Sequence, residues 1–335
     1  MSECEPRIKF DPRGDLTLRV GPPDELTSNL FLVCSRTLAR TSPVFDRMLY
    51  GSFAEAKPVD DKDWVVDLPN DDPASLTTFI RMTHGSFTEV PKTMTIDRLY
   101  ALTTLTHYYD ATQVLIPWID PWLASVEDET RDSNVPPLKL LWIAWEFGRK
   151  ALFKATARRI LFECPASLLE PYLPPEGLQM PPDVIEKITE IRHQTIEAFL
   201  RVFRDMVAML LVVDESPRWC RHASYMGHHR CESMILGSMT FCLARASLWP
   251  LPEADEVEES VVELYTKLTN LVIHDIGRQS PKGAEDHSEC NPVRHLMEEM
   301  KKILNEVPDP ITDMHWKQMD LQYKRLNPSD NSSCS

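Results

Sequence analysis

The chain has 335 residues, 43% of them hydrophobic, with a formal net charge of −15; that is enough apolar material for two packed cores and too much for a disordered chain. Glycine is scarce, at 10 residues, which argues against the loops that cradle phosphates. The first 125 residues carry 12 basic and 18 acidic side chains, and without a Lys/Arg-rich run there is no footprint for a nucleic-acid backbone.

Asp15-Leu16-Thr17-Leu18-Arg19-Val20 alternates apolar and polar side chains, the period of a half-buried strand. Phe31-Leu32-Val33 is a second strand, followed by a short helix over residues 35–40. Ser42 caps the next helix, with Pro43 at its first position and Val44, Phe45, Met48 and Leu49 on one face. Trp64-Val65-Val66-Asp67-Leu68 is a third strand. Asp72-Pro73 repeats the cap-plus-proline device, and residues 95–124 read as two further helices.

This ordered set resembles the BTB/POZ domain, in the form found in proteins of filamentous fungi. The matching pieces are Asp15 through Gly21, Phe31-Leu32-Val33 with Leu38 through Phe45, Gly51-Ser52-Phe53-Ala54-Glu55, Trp64 through Pro73, Phe79 through Gly85, and Ile116-Pro117-Trp118-Ile119-Asp120-Pro121-Trp122-Leu123. The resemblance implies an α+β fold: a BTB/POZ domain over residues 10–125, with a short mixed sheet capped by helices, followed by an all-α region over 138–326. Residues 1–9 are expected to be a flexible N-terminus, 126–137 a linker and 327–335 a disordered tail.

The resemblance also implies action through protein surfaces and no enzymatic activity. A homodimer would bury Leu16, Leu18, Phe31 and Leu38, unless these belong to the core of a single chain. Phe53-Ala54-Glu55 sits where adaptors of cullin ubiquitin ligases carry an apolar-x-Glu signature, so Phe53 and Glu55 are the candidate contacts to a cullin partner. The runner-up is a scaffold or transcription-linked regulator that meets no cullin, and a third reading is an unrecognised enzyme in the helical half. Family members carry a His and then a basic residue before the first helix; Cys34 and Ser35 stand there instead, which removes the usual cationic partner of Asp15 in the charged pocket of transcription-type relatives.

The second half shows helical periodicity near 138–163, 183–213, 231–248, 256–274, 292–306 and 311–325, broken by proline clusters. Ser247-Leu248-Trp249-Pro250 and Cys290-Asn291-Pro292 resemble the region that follows the BTB domain in fungal proteins, and no fixed-period repeat is present. Trp142 and Trp145, with Leu141 and Phe153, are expected to be core. The acidic residues Glu253, Asp255, Glu256, Glu258 and Glu259 are read as a solvated helix start. No phosphate-binding, nucleophile-elbow or H-E-x-x-H motif is present.

The eight cysteines are scattered, as in a reduced intracellular protein rather than a disulfide framework. The opening residues lack the apolar core of a signal peptide, and the longest apolar stretches are too short for a membrane span. A cytoplasmic or nuclear location, away from membranes, is therefore expected. Cys220-x-His222, His228-His229-x-Cys231 and His287-x-x-Cys290 raise the question of zinc, with Cys220, His222, His287 and Cys290 as ligands. Cys231 opens an apolar helix and reads as ordinary core. The favoured reading is a His-rich loop beside buried thiols, without metal or other cofactor.

Overall fold

The computed structural model of the chain describes residues 7–22, 29–58, 63–131, 137–168, 178–212, 219–220, 222, 227–278 and 286–327. It is α+β: a small four-stranded mixed sheet near the N-terminus, followed by a mostly helical region. Two compact units emerge, one of residues 1–156, 178–181 and 313–335, the other of residues 157–177 and 182–312.

The first unit holds β1 (Arg7–Lys9), β2 (Leu16–Val20), β3 (Asn29–Val33) and β4 (Val65–Leu68), in spatial order β1-β3-β2-β4. The sheet is mixed because β2 and β3 run antiparallel, with Leu18 opposite Phe31, while β4 lies parallel to β2 and β1 parallel to β3. Its helices are α1 (Ser35–Thr41), α2 (Pro43–Tyr50), α3 (Pro73–Thr83), α4 (Ile96–Tyr108), α5 (Ile119–Arg131), α6 (Leu138–Glu146) and the start of α7 (Lys150–Glu163).

Local chemistry sets the helix starts as the sequence implies. The Ser42 hydroxyl oxygen accepts the Phe45 N–H at 3.0 Å, and Asp72 accepts the Ser75 N–H at 2.7 Å, each with proline next in the chain. Such caps are worth about 1 kcal/mol each. The Ser42 hydroxyl also donates to the Tyr109 carbonyl, and Phe45 stacks on the Tyr109 ring with centroids 4.2 Å apart. These contacts join α2 to the end of α4, and both share one core with the sheet.

Three expectations are corrected here. Leu16, Leu18, Phe31 and Leu38 are at most 1% exposed and pack within this core, so they have no surface to offer a second copy. Arg7, Ile8 and Lys9, expected to be flexible, form strand β1; residues 1–6 lie outside the described residues. The 126–137 linker is helical as far as Arg131, with Val126 fully buried, and residues 132–136 lie outside the described residues. Leu140, Ile143, Phe147 and Leu326 also join the first core, so the expected boundary after residue 125 does not separate the two cores. Of the expected disordered tail, 328–335 lie outside the described residues.

His84 holds α1 in place across the sequence. Its Nε2 accepts the Cys34 N–H at 3.0 Å while Nδ1 faces the Ile80 carbonyl at 3.1 Å, so the ring serves as a neutral acceptor. Burial pushes its pKa below the ordinary histidine value, although the Ile80 carbonyl and Asp11 pull the other way. The unfolded chain then binds a proton, near pH 6.5 and below, that the folded chain resists, so the His84 contribution is whole above that pH and is lost as pH falls. Thermal unfolding from about pH 7.5 down to about pH 5 should show a steeper loss of stability in the wild type than in His84→Gln; parallel curves would show that His84 carries none of the slope.

The second unit is built on α8 (Val184–Leu210), α9 (Gly227–Arg245), α10 (Val261–Thr269) and α11 (Val293–Glu306). Ile188, Ile191, Thr195, Phe199 and Phe203 recur along α8 at three- and four-residue spacing and are buried, as an amphipathic helix on a core requires. Phe199, Phe203, Ile235, Met239, Leu264 and Met300 are central to that core. A reciprocal box starts α10: Ser260 accepts the Glu263 N–H, and the Glu263 carboxylate accepts the Ser260 N–H. The last helix, α12 (Asp313–Leu326), returns to the first unit.

Candidate functional site

In the first unit, the loop after α2 is fixed at both ends. The Gly51 N–H donates to the Arg47 carbonyl at 2.8 Å, closing α2, and the Lys57 N–H donates to the Leu49 carbonyl at 2.9 Å. The Trp64 indole N–H, at the foot of β4, donates to the Glu55 carbonyl at 2.9 Å. Within this frame Phe53 is 60% exposed and Glu55 is half-buried. The aromatic ring therefore stands outward on a loop whose backbone is held.

Beside it lies Asp15. Its carboxylate accepts the Ser35 N–H at 2.9 Å, the Ser35 hydroxyl at 2.8 Å and the Lys57 ammonium at 3.1 Å. Burial pushes the Asp15 carboxyl up, but the Ser35 hydrogen bonds and the Lys57 charge outweigh it and hold it below its ordinary value. A cation thus reaches Asp15 from beyond α2. Sequence reading missed Lys57 because the two partners stand 42 residues apart.

In the second unit, four side chains converge: Cys220, Cys231, His287 and Cys290 are all buried, and one sulfur or ring nitrogen from each lies within 4.8 Å of the others. Cys220 lies between α8 and α9, Cys231 lies in the first turns of α9, and His287 and Cys290 share the 3-10 turn His287–Cys290 ahead of α11. Cys220 Sγ is 3.5 Å from His287 Nδ1 and 3.8 Å from Cys290 Sγ. Burial, with Cys220 and Cys290 alongside, pushes the Cys231 thiol well above its ordinary range.

Cys220 and the His287–Cys290 turn have local supports. Glu232, the neighbour of Cys231, accepts the Cys220 N–H at 3.0 Å, and the Trp219 indole donates to the Cys290 carbonyl at 2.6 Å. Asp286 caps the 3-10 turn by accepting the Ser288 N–H at 3.1 Å. The Asn291 side chain ties the turn to residues 273 and 275 through Nδ2, and its Oδ1 accepts the Val293 N–H at the start of α11.

The set expected from sequence is thereby altered in one member. His222 directs Nε2 to the Asp286 carbonyl at 3.0 Å, with its ring 4.6 Å from that of His287; it stands behind the cluster, and Cys231 takes the place expected for it. Of the other histidines nearby, His229 is exposed, and the side chain of His228 lies outside what is described.

Two concavities complete the first unit. A recess of about 150 Å³ is lined by His107, Asp110, Thr112, Glu146, Gln322 and Arg325 among others, smaller than the several hundred Å³ typical of ligand pockets. Its polar groups engage each other: Glu146 accepts from His107, Thr112 and Gln322, and Arg325 pairs with Asp110. A wider groove of about 710 Å³ runs past Leu123, Glu127, Lys150, Leu152 and Tyr323. Leu141, Trp142, Trp145 and Phe153 are buried, and Trp145 also lines the smaller recess.

No protein-family model matches the chain, and no curated protein matches it at meaningful similarity. Among the described residues, no helix is long and apolar enough to cross a membrane.

Proposed function

We propose that the first unit is a BTB/POZ-type protein-interaction module whose 53–55 loop docks on an apolar groove of a cullin-type helical scaffold, making the chain a substrate adaptor. The observation that carries this reading is Phe53, 60% exposed on a loop pinned through Lys57, Leu49 and Trp64. A rigid aromatic pre-set for a pocket loses little entropy on binding, and such anchors dominate interface energetics. Glu55, two residues on, supplies an acceptor for a donor at the rim of the groove. The small mixed sheet and the capped α2 and α3 support the same reading.

The test is titration calorimetry of the full chain against the N-terminal domain of a fungal cullin. Phe53→Ala is expected to weaken binding about 30-fold, the factor that a hot spot of about 2 kcal/mol implies, and Glu55→Ala to weaken it less. Phe53→Ala should unfold within about 0.5 kcal/mol of the wild type, as exposed sites do. No binding by the wild type would remove the cullin and leave a scaffold role, in which a captured partner is indifferent to Phe53. Light scattering addresses self-association. It must use the full chain, because a fragment ending near residue 130 loses Leu140, Ile143, Phe147 and Leu326 from its own core.

A further inference from the structure

We infer that Cys220, Cys231, His287 and Cys290 form a structural zinc site that clips three separate segments of the second unit together. The donor set is the first argument. Three thiols and an imidazole are the soft and borderline ligands that select zinc, and Cys3His is an established closed composition for it.

Geometry is the second argument. Zn–S bonds of about 2.3 Å and Zn–N bonds of about 2.0–2.1 Å in a tetrahedron place two sulfurs about 3.8 Å apart, and a sulfur about 3.5–3.6 Å from a nitrogen. The separations between Cys220 and Cys290, 3.8 Å, and between Cys220 and His287, 3.5 Å, match those edges. A disulfide would need sulfurs about 2.05 Å apart. All four donor atoms fall within 4.8 Å, a span that suits one ion.

Burial and connectivity are the third. The four residues are at most 6% exposed, and the protein supplies all four positions, which is the closed arrangement of a structural site rather than the open one of a catalytic site. The backbone supports described above, from Glu232 and Trp219, fix the first coordination sphere from outside. Cys220 and Cys290 stand 70 residues apart, so one ion closes a long loop, where a clip restricts the unfolded chain most.

The test uses the full chain purified without chelator. Elemental analysis is expected to give about one equivalent of zinc. Exchange with Co(II) should give the visible bands of a tetrahedral ion together with thiolate charge transfer. Cys231→Ser and His287→Ala should each reduce retained metal at least tenfold, while Cys242→Ser, a cysteine outside the cluster, should retain all of it. If the cluster variants fail to fold, the wild type still decides: alkylation of Cys220, Cys231 and Cys290 should be slow and become fast after a strong zinc chelator. Less than about a tenth of an equivalent of zinc with no Co(II) spectrum, alkylation indifferent to the chelator, or a Cys220–Cys290 disulfide in peptide mapping would each overturn the inference.

Discussion

Gly148→Ala is expected to destabilise the first unit by about 3 kcal/mol and to release α12 from it. Gly148 separates α6 from α7 and has φ of +64°, where an alanine is strained by about 1–2 kcal/mol. A Cβ there would lie 2.8 Å from the Tyr323 nitrogen and 3.0 Å from the Met319 carbonyl oxygen. Both are backbone atoms of α12, so no side chain can rotate away and the helix itself must move. That helix brings Leu326 and Met319, 3% and 0% exposed, into the interior and pairs Arg325 with Asp110. Gly85→Ala is the matched control: its φ is +80°, but nothing lies within 4 Å of the added carbon, so only the backbone strain remains, about 1 kcal/mol. Urea unfolding with hydrogen exchange over α12 reads both. Equal costs for the two variants would show that the close approach of α12 carries no energy.

The same glycine shows what the sequence conceals. Residues 138–163 carry one continuous helical pattern, yet the structure breaks it at Phe147 and Gly148, because α12 passes too close for any side chain. Nothing local announces a neighbour 170 residues later. The features that were legible are those with short-range causes: the alternation in β2, the caps at Ser42 and Asp72, and the spacing of apolar residues along α8. The strand β1 has three residues, all exposed, too few to show a period. Leu16, Leu18, Phe31 and Leu38 were legible as apolar but not as core or interface, since one alternating pattern serves both. In the cysteine cluster, Cys220 and the His287–Cys290 turn announce ligand-like pairs. Cys231 follows a histidine pair but reads as core, because a thiol in an apolar helix has the same pattern whether it packs or coordinates, and only the fold decides which residues meet.

Arg192→Met is expected to cost the second unit about 3 kcal/mol, with Arg192→Lys falling between it and the wild type. Arg192 lies in the first third of α8, 6% exposed, and its Nη2 donates to the Val257 and Glu259 carbonyls at 2.8 Å each. Those carbonyls belong to the segment that enters α10, and the Ala166 N–H reaches the Glu258 carbonyl between them at 2.9 Å. One guanidinium therefore holds the approach to α10 against α8. Burial draws the Arg192 pKa down while Glu258 and Glu259 oppose the shift, and a guanidinium remains charged at neutral pH regardless. Methionine keeps the stem's packing but leaves two carbonyls without a donor, each charge-assisted bond being worth about 1.5–3 kcal/mol. Lysine keeps the charge and has N–H donors to offer, but its shorter stem and tetrahedral ammonium do not place them where Nη2 stands, so the two bonds are kept only in part. The opposing term is desolvation: Arg192 Nε is buried without a partner among the described residues, so part of the cost of burying the charge is not recovered. Urea midpoints of the three proteins weigh the two. The order wild type, lysine, methionine means that the carbonyl clamp outweighs burial of the charge; a methionine variant as stable as the wild type would reverse that, as replacement of buried ionic groups by apolar ones does elsewhere.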